Sequence, residues 1–267
     1  MCRAVTCAGA IVCAALVLAA TPTPSLAENT SIDAGRLVVS LNGKPFRIEE
    51  FNLDQLGDSL IVTSNSWLVT SPALSQVDWI VDSTTRTISY DKGMTLVLSA
   101  FDYALKEYWS AAAAGPDTMR RAITLGGLDT AYTAYREING AGVGEQLMLP
   151  PGRIFILDPP LFTTFTLIAR SLKGRTFDSR PITMMVLAPR DSVVAVTVTD
   201  LGNETIRWGA RPVVARKLRI ADLKTAFTAW VAQDGRLLRL QQPEAGIVVE
   251  RQAPKTPPAR RRPPGTK

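Results

Sequence analysis

The chain has no histidine, and its three cysteines (Cys2, Cys7 and Cys13) all lie at the start of the sequence. Without histidine there is no imidazole base to activate a serine hydroxyl, and the common His/Cys zinc sets are excluded. Past residue 13 there is no thiol, so no disulfide framework holds the chain and burial of apolar surface must do that work. Acidic residues stop at Glu250. After the first 20 residues no apolar run is long enough to span a bilayer as a helix. Nothing in the sequence implies a cofactor.

What is present begins with a leader. Arg3 precedes an apolar run from Ala4 to Ala20, and Ser25-Leu26-Ala27 places small residues before Glu28. Residues 1–27 read as a signal peptide cleaved after Ala27, giving a periplasmic or secreted protein. Residues 28–251 hold equal numbers of basic and acidic groups and are expected to form one β-rich domain. Residues 252–267, QAPKTPPARRRPPGTK, carry five prolines and an Arg260-Arg261-Arg262 run, and read as a disordered tail. Such a run suits an anionic envelope surface. Nucleic acid is not an expected partner of an exported chain.

Strand and turn signals dominate the body. Asn42-Gly43 and Asn139-Gly140 are hairpin dipeptides, and Asp234-Gly235 joins TAFTAWVAQ to RLLRLQQ at two-residue spacing. Val77, Trp79 and Val81 alternate as in a half-buried strand. In the second strand Phe46 and Ile48 take one parity and Phe51 and Leu53 the other, which predicts a bulge near Glu49-Glu50. Residues 95–109 fit helix or strand, with strand preferred. Ala111–Asp117 reads as a surface connection, and Leu201-Gly202-Asn203 as a turn.

One helix is expected, over about 159–173. Asp158 suits its N-cap, Pro159 and Pro160 its first turn, and Gly174 its stop, with Leu161, Phe162, Phe165, Ile168 and Leu172 on one face. The fold class that follows is mainly β: a strongly curved antiparallel sheet, or unclosed β-barrel, with that helix as a lid.

Catalytic motifs are thin. Gly57-Asp58-Ser59-Leu60 spells the GDSL signature of serine esterases and lipases, but without histidine it reads as a hairpin turn. Leu128-Asp129-Thr130-Ala131 is similar to the aspartic-protease loop and lacks a matching second loop. Glu49, Glu50 and Asp102 are the carboxylates that a glycoside hydrolase would require.

The stretch Phe227-x-x-Trp230-Val231-x-x-Asp234-Gly235-Arg236-Leu237-Leu238-Arg239-Leu240, continued by Pro243-x-x-Gly246 and Glu250-Arg251, resembles uncharacterised bacterial periplasmic proteins. These have the half-barrel of the Lol-type lipoprotein carriers, in which a curved sheet and a helical lid enclose a hydrophobic cavity. The resemblance spans mainly residues 203–251. It implies a non-catalytic protein that holds a lipid or other hydrophobic small molecule. Among the aromatic residues of the chain, Trp79, Phe101, Phe162, Phe165 and Trp230 are the candidates to line such a cavity. The alternative is a structural or assembly protein of the envelope acting through its surface and basic tail; a carboxylate-dependent hydrolase is a third reading.

Overall fold

The computed structural model describes residues 29–69, 91–114, 117–126, 130–187, 191–222 and 224–254. The leader, residues 70–90 with Trp79, Leu128-Asp129 of the Asp-Thr-Ala motif and the Arg260–Arg262 run lie outside them.

Among the described residues, eight strands form an antiparallel meander in chain order: β1 (Asn29–Leu41), β2 (Lys44–Leu56), β3 (Ser59–Leu68), β4 (Asp91–Ser99), β5 (Leu105–Ala114), β6 (Asp117–Leu125), β7 (Ala131–Ile138) and β8 (Ala141–Met148). A short strand β9 (Ile154–Leu157) leads into helix α1 (Thr163–Ser171). A second meander follows: β10 (Ser179–Leu187), β11 (Asp191–Trp208), β12 (Arg211–Ala221), β13 (Ala226–Val231), β14 (Leu237–Gln242) and β15 (Ile247–Arg251). β15 pairs with β1, from Leu37 opposite Arg251 to Leu41 opposite Ile247, and fuses the two meanders into one 15-stranded sheet. Every neighbouring pair is antiparallel except β9 with β10.

The two edges of this sheet are β8 and β9, which follow each other in the chain. Laid flat at ~4.8 Å per strand, edges so many strands apart would be separated by roughly 65 Å. The link from Met148 to Ile154 reaches ~20 Å at full extension. The sheet must therefore curl until its two edges come within reach of that link, and they do not hydrogen-bond to each other. This is the unclosed barrel expected from the turn spacing.

Local chemistry explains the turns. Asn42 and Gly43 take φ of 48° and 79°, and Asn139 and Gly140 take 51° and 81°, the left-handed pairs that a two-residue I′ hairpin requires. Gly57 turns β2 into β3 at φ 59°, so the GDSL residues form a hairpin.

Several expectations are corrected. The bulge on β2 falls at Phe46, not at Glu49-Glu50: Val39 faces Arg47 and Ser40 faces Pro45. The apparent phase switch has another cause. Arg47 and Glu49 share the inward parity of Phe51 and Leu53, so charged residues occupy core positions. Ala111–Ala114 extend β5 and are not a surface connection. Leu201-Gly202 is a bulge within the 18-residue β11 and not a reversal. Asp234-Gly235 does turn β13 into β14, but the loop is longer than two residues, closing with Ala232 donating to the Arg236 carbonyl at 2.9 Å. Residues 95–109 are strand on both sides of a tight turn.

The helix departs most from expectation. It starts at Thr163, and Asp158 does not cap it. Eight of its nine residues are buried, so α1 packs into the curl on more than its apolar face. Phe165, Leu167, Ile168 and Leu172 all join the main core cluster, which draws residues from both meanders.

Candidate functional site

The N-terminal end of α1 meets a stripe of polar side chains on the inner face of the sheet. Glu49, Ser66 and Lys92 lie opposite one another on β2, β3 and β4, and Ser110 faces Arg121 across β5 and β6. All are buried, with Arg47, Ser64 and Asp158.

Glu49 supplies the cap that the helix lacks in its own sequence. Its carboxylate accepts the Phe162 N–H at 2.6 Å and the Thr163 N–H at 3.0 Å. The Ser64 hydroxyl donates to it at 2.7 Å, and the Thr163 hydroxyl also donates to it. A carboxylate at a helix N-terminus meets unsatisfied amides and the positive end of the helix dipole. Beside it the Arg47 Nε donates to the Ser66 hydroxyl at 3.0 Å.

The chain entering the helix is held by a second group. Asp158 pairs with the Lys92 ammonium and accepts the Tyr108 hydroxyl, while Lys92 also donates to the Pro159 carbonyl at 3.1 Å. Arg121 pairs with Asp191 at the start of β11, tying the first meander to the second. These contacts join segments that share no backbone ladder.

Burial sets the ionisation of the cluster. It pushes the Glu49 carboxyl above its ordinary value against the hydrogen bonds from Thr163, Ser64 and the two amides. Burial lowers the Lys92 ammonium against the pull of Asp158, and it raises the Tyr108 phenol with the Asp158 charge adding to the effect. A lysine and a tyrosine shifted in this way resemble a catalytic pair. Catalysis, however, needs a reacting atom within reach, and the side chains of Lys92 and Asp158 are each 1% exposed. As arranged, the cluster locks the helix to the sheet.

At the other end of α1 the structure opens into a cleft of about 200 Å³. Leu172, Val214, Leu218 and Val231 form its apolar wall, and Lys173 and Arg216 its cationic side. Arg216 is fixed: its Nε donates to Asp200 at 2.8 Å, its Nη1 to the Arg175 carbonyl at 2.8 Å, and its guanidinium lies 4.6 Å from the Phe177 ring centroid. A cation here suits the carbonyl end of the helix.

The aromatic residues expected to line one cavity are dispersed. Phe162 and Phe165 are close, with ring centroids 6.4 Å apart, and Phe165 packs on Phe227 at 4.6 Å. Both are core residues. Phe101 is 86% exposed on the turn between β4 and β5. Trp230 belongs to a separate cluster with Ile206, Ala215 and Leu238, on the face of β13 opposite Ala229 and Val231. Trp79 lies outside the described residues. The carboxylates do not converge either: Glu49 points inward, Glu50 outward to Arg36 at 3.7 Å, and Asp102 sits in the Phe101 turn. Sequence reasoning missed Lys92, Tyr108 and Asp158 as a group. The available signal was charge at inward parity on β2 and β4.

No protein-family model and no curated protein matches the chain. Among solved structures it is similar to a beta-barrel-like protein of domain of unknown function DUF1849 from Brucella abortus, with 10% identity and a TM-score of 0.47, over 85% of this chain and 95% of that one.

Proposed function

We propose that this is a non-catalytic, exported protein of the bacterial cell envelope that works as a structural or assembly component through its outer surface. The observation that carries the reading is the filled interior. Where a carrier would hold cargo, this chain places its own helix, buried at eight of nine positions and anchored by Glu49. The leader at residues 1–27 supports export, and the Arg260–Arg262 run supports attachment to an anionic envelope surface.

A second reading has one observation in its favour. The cleft beside Leu172 combines an apolar wall with Lys173 and Arg216, which fits the end of a hydrophobic ligand bearing an anionic group. At about 200 Å³ it falls below the ~300 Å³ at which small-molecule sites usually begin.

Complementation separates the two. A strain lacking the gene is expected to take up a membrane-impermeant dye, and the wild-type chain should restore the barrier. Val214→Phe, which fills the cleft from a half-exposed wall position, is expected to restore it equally. Failure of Val214→Phe at normal protein level would move the function to the cleft.

A further inference from the structure

A sheet edge is a row of unpaired backbone groups, and proteins blunt such rows with lysine, proline, bulges or a covering element. The edge formed by β9 is dealt with: it is four residues long, buried at Ile154, Phe155 and Ile156, and its Ile156 carbonyl accepts the Thr164 hydroxyl. The edge formed by β8 is not. Its sequence, AGVGEQLM, contains neither lysine nor proline, its pairing with β7 has no bulge, and it is exposed on both faces except at Leu147. Val143 and Met148 are each 66% exposed. Among the described residues no element covers it.

The direction of its free groups follows from the hairpin. Ile138 and Ala141 flank a two-residue turn and so exchange both hydrogen bonds. From there the backbone alternates. Ala141, Val143, Glu145 and Leu147 turn their amides and carbonyls to β7, in agreement with the Leu149 N–H donating to the Thr130 carbonyl at 2.9 Å. Gly142, Gly144, Gln146 and Met148 turn theirs outward.

We infer that β8 is the contact of a two-fold dimer, in which the β8 strands of two copies pair antiparallel about Gly144. With one usable edge among the described residues, pairing through it is isologous and closes at two copies. The side chains fix the register. Centred on Gly144, Gly142 faces Gln146, Val143 faces Glu145 and Ala141 faces Leu147. Centring on Glu145 would set two carboxylates directly opposite, which opposes pairing. Centring on Val143 would run Leu147 against the turn residue Asn139.

Charge agrees with the Gly144 register. Arg136 lies beside Val143 on β7, and neither Arg136 nor Glu145 has an ion-pair partner among the described residues. The two-fold places Glu145 of the partner subunit on the far side of Val143, on the face that carries Arg136. Close approach at the centre is open as well: a Cβ added to Gly144 meets only the Ala134 carbonyl oxygen, at 3.9 Å.

The test is sedimentation velocity of the full-length chain across a concentration series, joined to thiol crosslinking. The wild type should sediment as a reversible dimer. Gly144→Pro removes an outward N–H and no bond to β7, and should raise the dissociation constant by roughly tenfold or more while far-UV circular dichroism is unchanged. In a background with Cys2, Cys7 and Cys13 changed to serine, Gly144→Cys should oxidise to a disulfide dimer and Gln146→Cys should not. A chain that stays monomeric at every concentration overturns the inference. So does equal crosslinking of the two cysteine variants, which would show encounter without register.

Discussion

The carboxylate of Glu49 accepts the backbone N–H of Phe162 at 2.6 Å, although 113 residues separate them. A strand from the first meander thus completes the helix that lies between the two meanders. Neither residue is satisfied alone: the helix has no side-chain cap of its own, and a buried carboxylate needs donors. This one contact makes the curl and its helix a cooperative unit.

Glu49→Ala leaves the Phe162 and Thr163 amides buried without an acceptor. Stability is expected to fall by roughly 2–4 kcal/mol, read from urea denaturation. Glu49→Gln keeps one acceptor oxygen and should cost less.

The same residue gives a pH dependence. Burial lifts the folded-state Glu49 pKa above its ordinary 4.5, so the folded chain holds this proton more tightly than the unfolded chain. Its contribution is most favourable below about 4.5 and is lost as pH rises through the folded value. Wild type should therefore lose stability relative to Glu49→Gln as pH is raised from about 4.5. Parallel curves for the two proteins would contradict the assignment.

Lys92 and Asp158 should behave as a coupled pair. Removing either partner strands a buried charge, at a cost of about 3–5 kcal/mol. Lys92→Met with Asp158→Leu should cost less than the sum of the two single changes, and thermal denaturation of the four proteins closes the cycle.

Placement of the aromatic residues predicts a sharp contrast. Phe165→Ala empties a core position and should cost about 3–5 kcal/mol. Phe101→Ala, on an exposed turn, should stay within ~0.5 kcal/mol.

The legible parts of the sequence were those governed by local chemistry. Asn42-Gly43 and Asn139-Gly140 need left-handed backbone, and that need is written in two residues. The strands that follow alternate in a way the pleat dictates. Tertiary effects were hidden. Arg47 and Glu49 broke the parity of β2 because a helix distant in sequence makes charge acceptable inside. Asp158 looked like an N-cap, since nothing local reveals that Lys92 and Tyr108 claim it. The apolar face of α1 was legible, and the burial of Thr163, Thr164 and Thr166 beside it was not. Phe101 and Trp230 lie apart from the Phe162–Phe165 core, one on an exposed turn and one in a separate buried cluster, because turn position and strand parity decide where a ring points.

The central claim is that the curl is occupied by the chain itself and not by cargo. Native mass spectrometry of the full-length gene product, purified from the envelope fraction under mild conditions, tests this most directly. The account predicts polypeptide mass alone, with nothing recovered on organic extraction. A stoichiometric lipid adduct, lost on Val214→Phe, would contradict it and make the cleft beside Leu172 the working site.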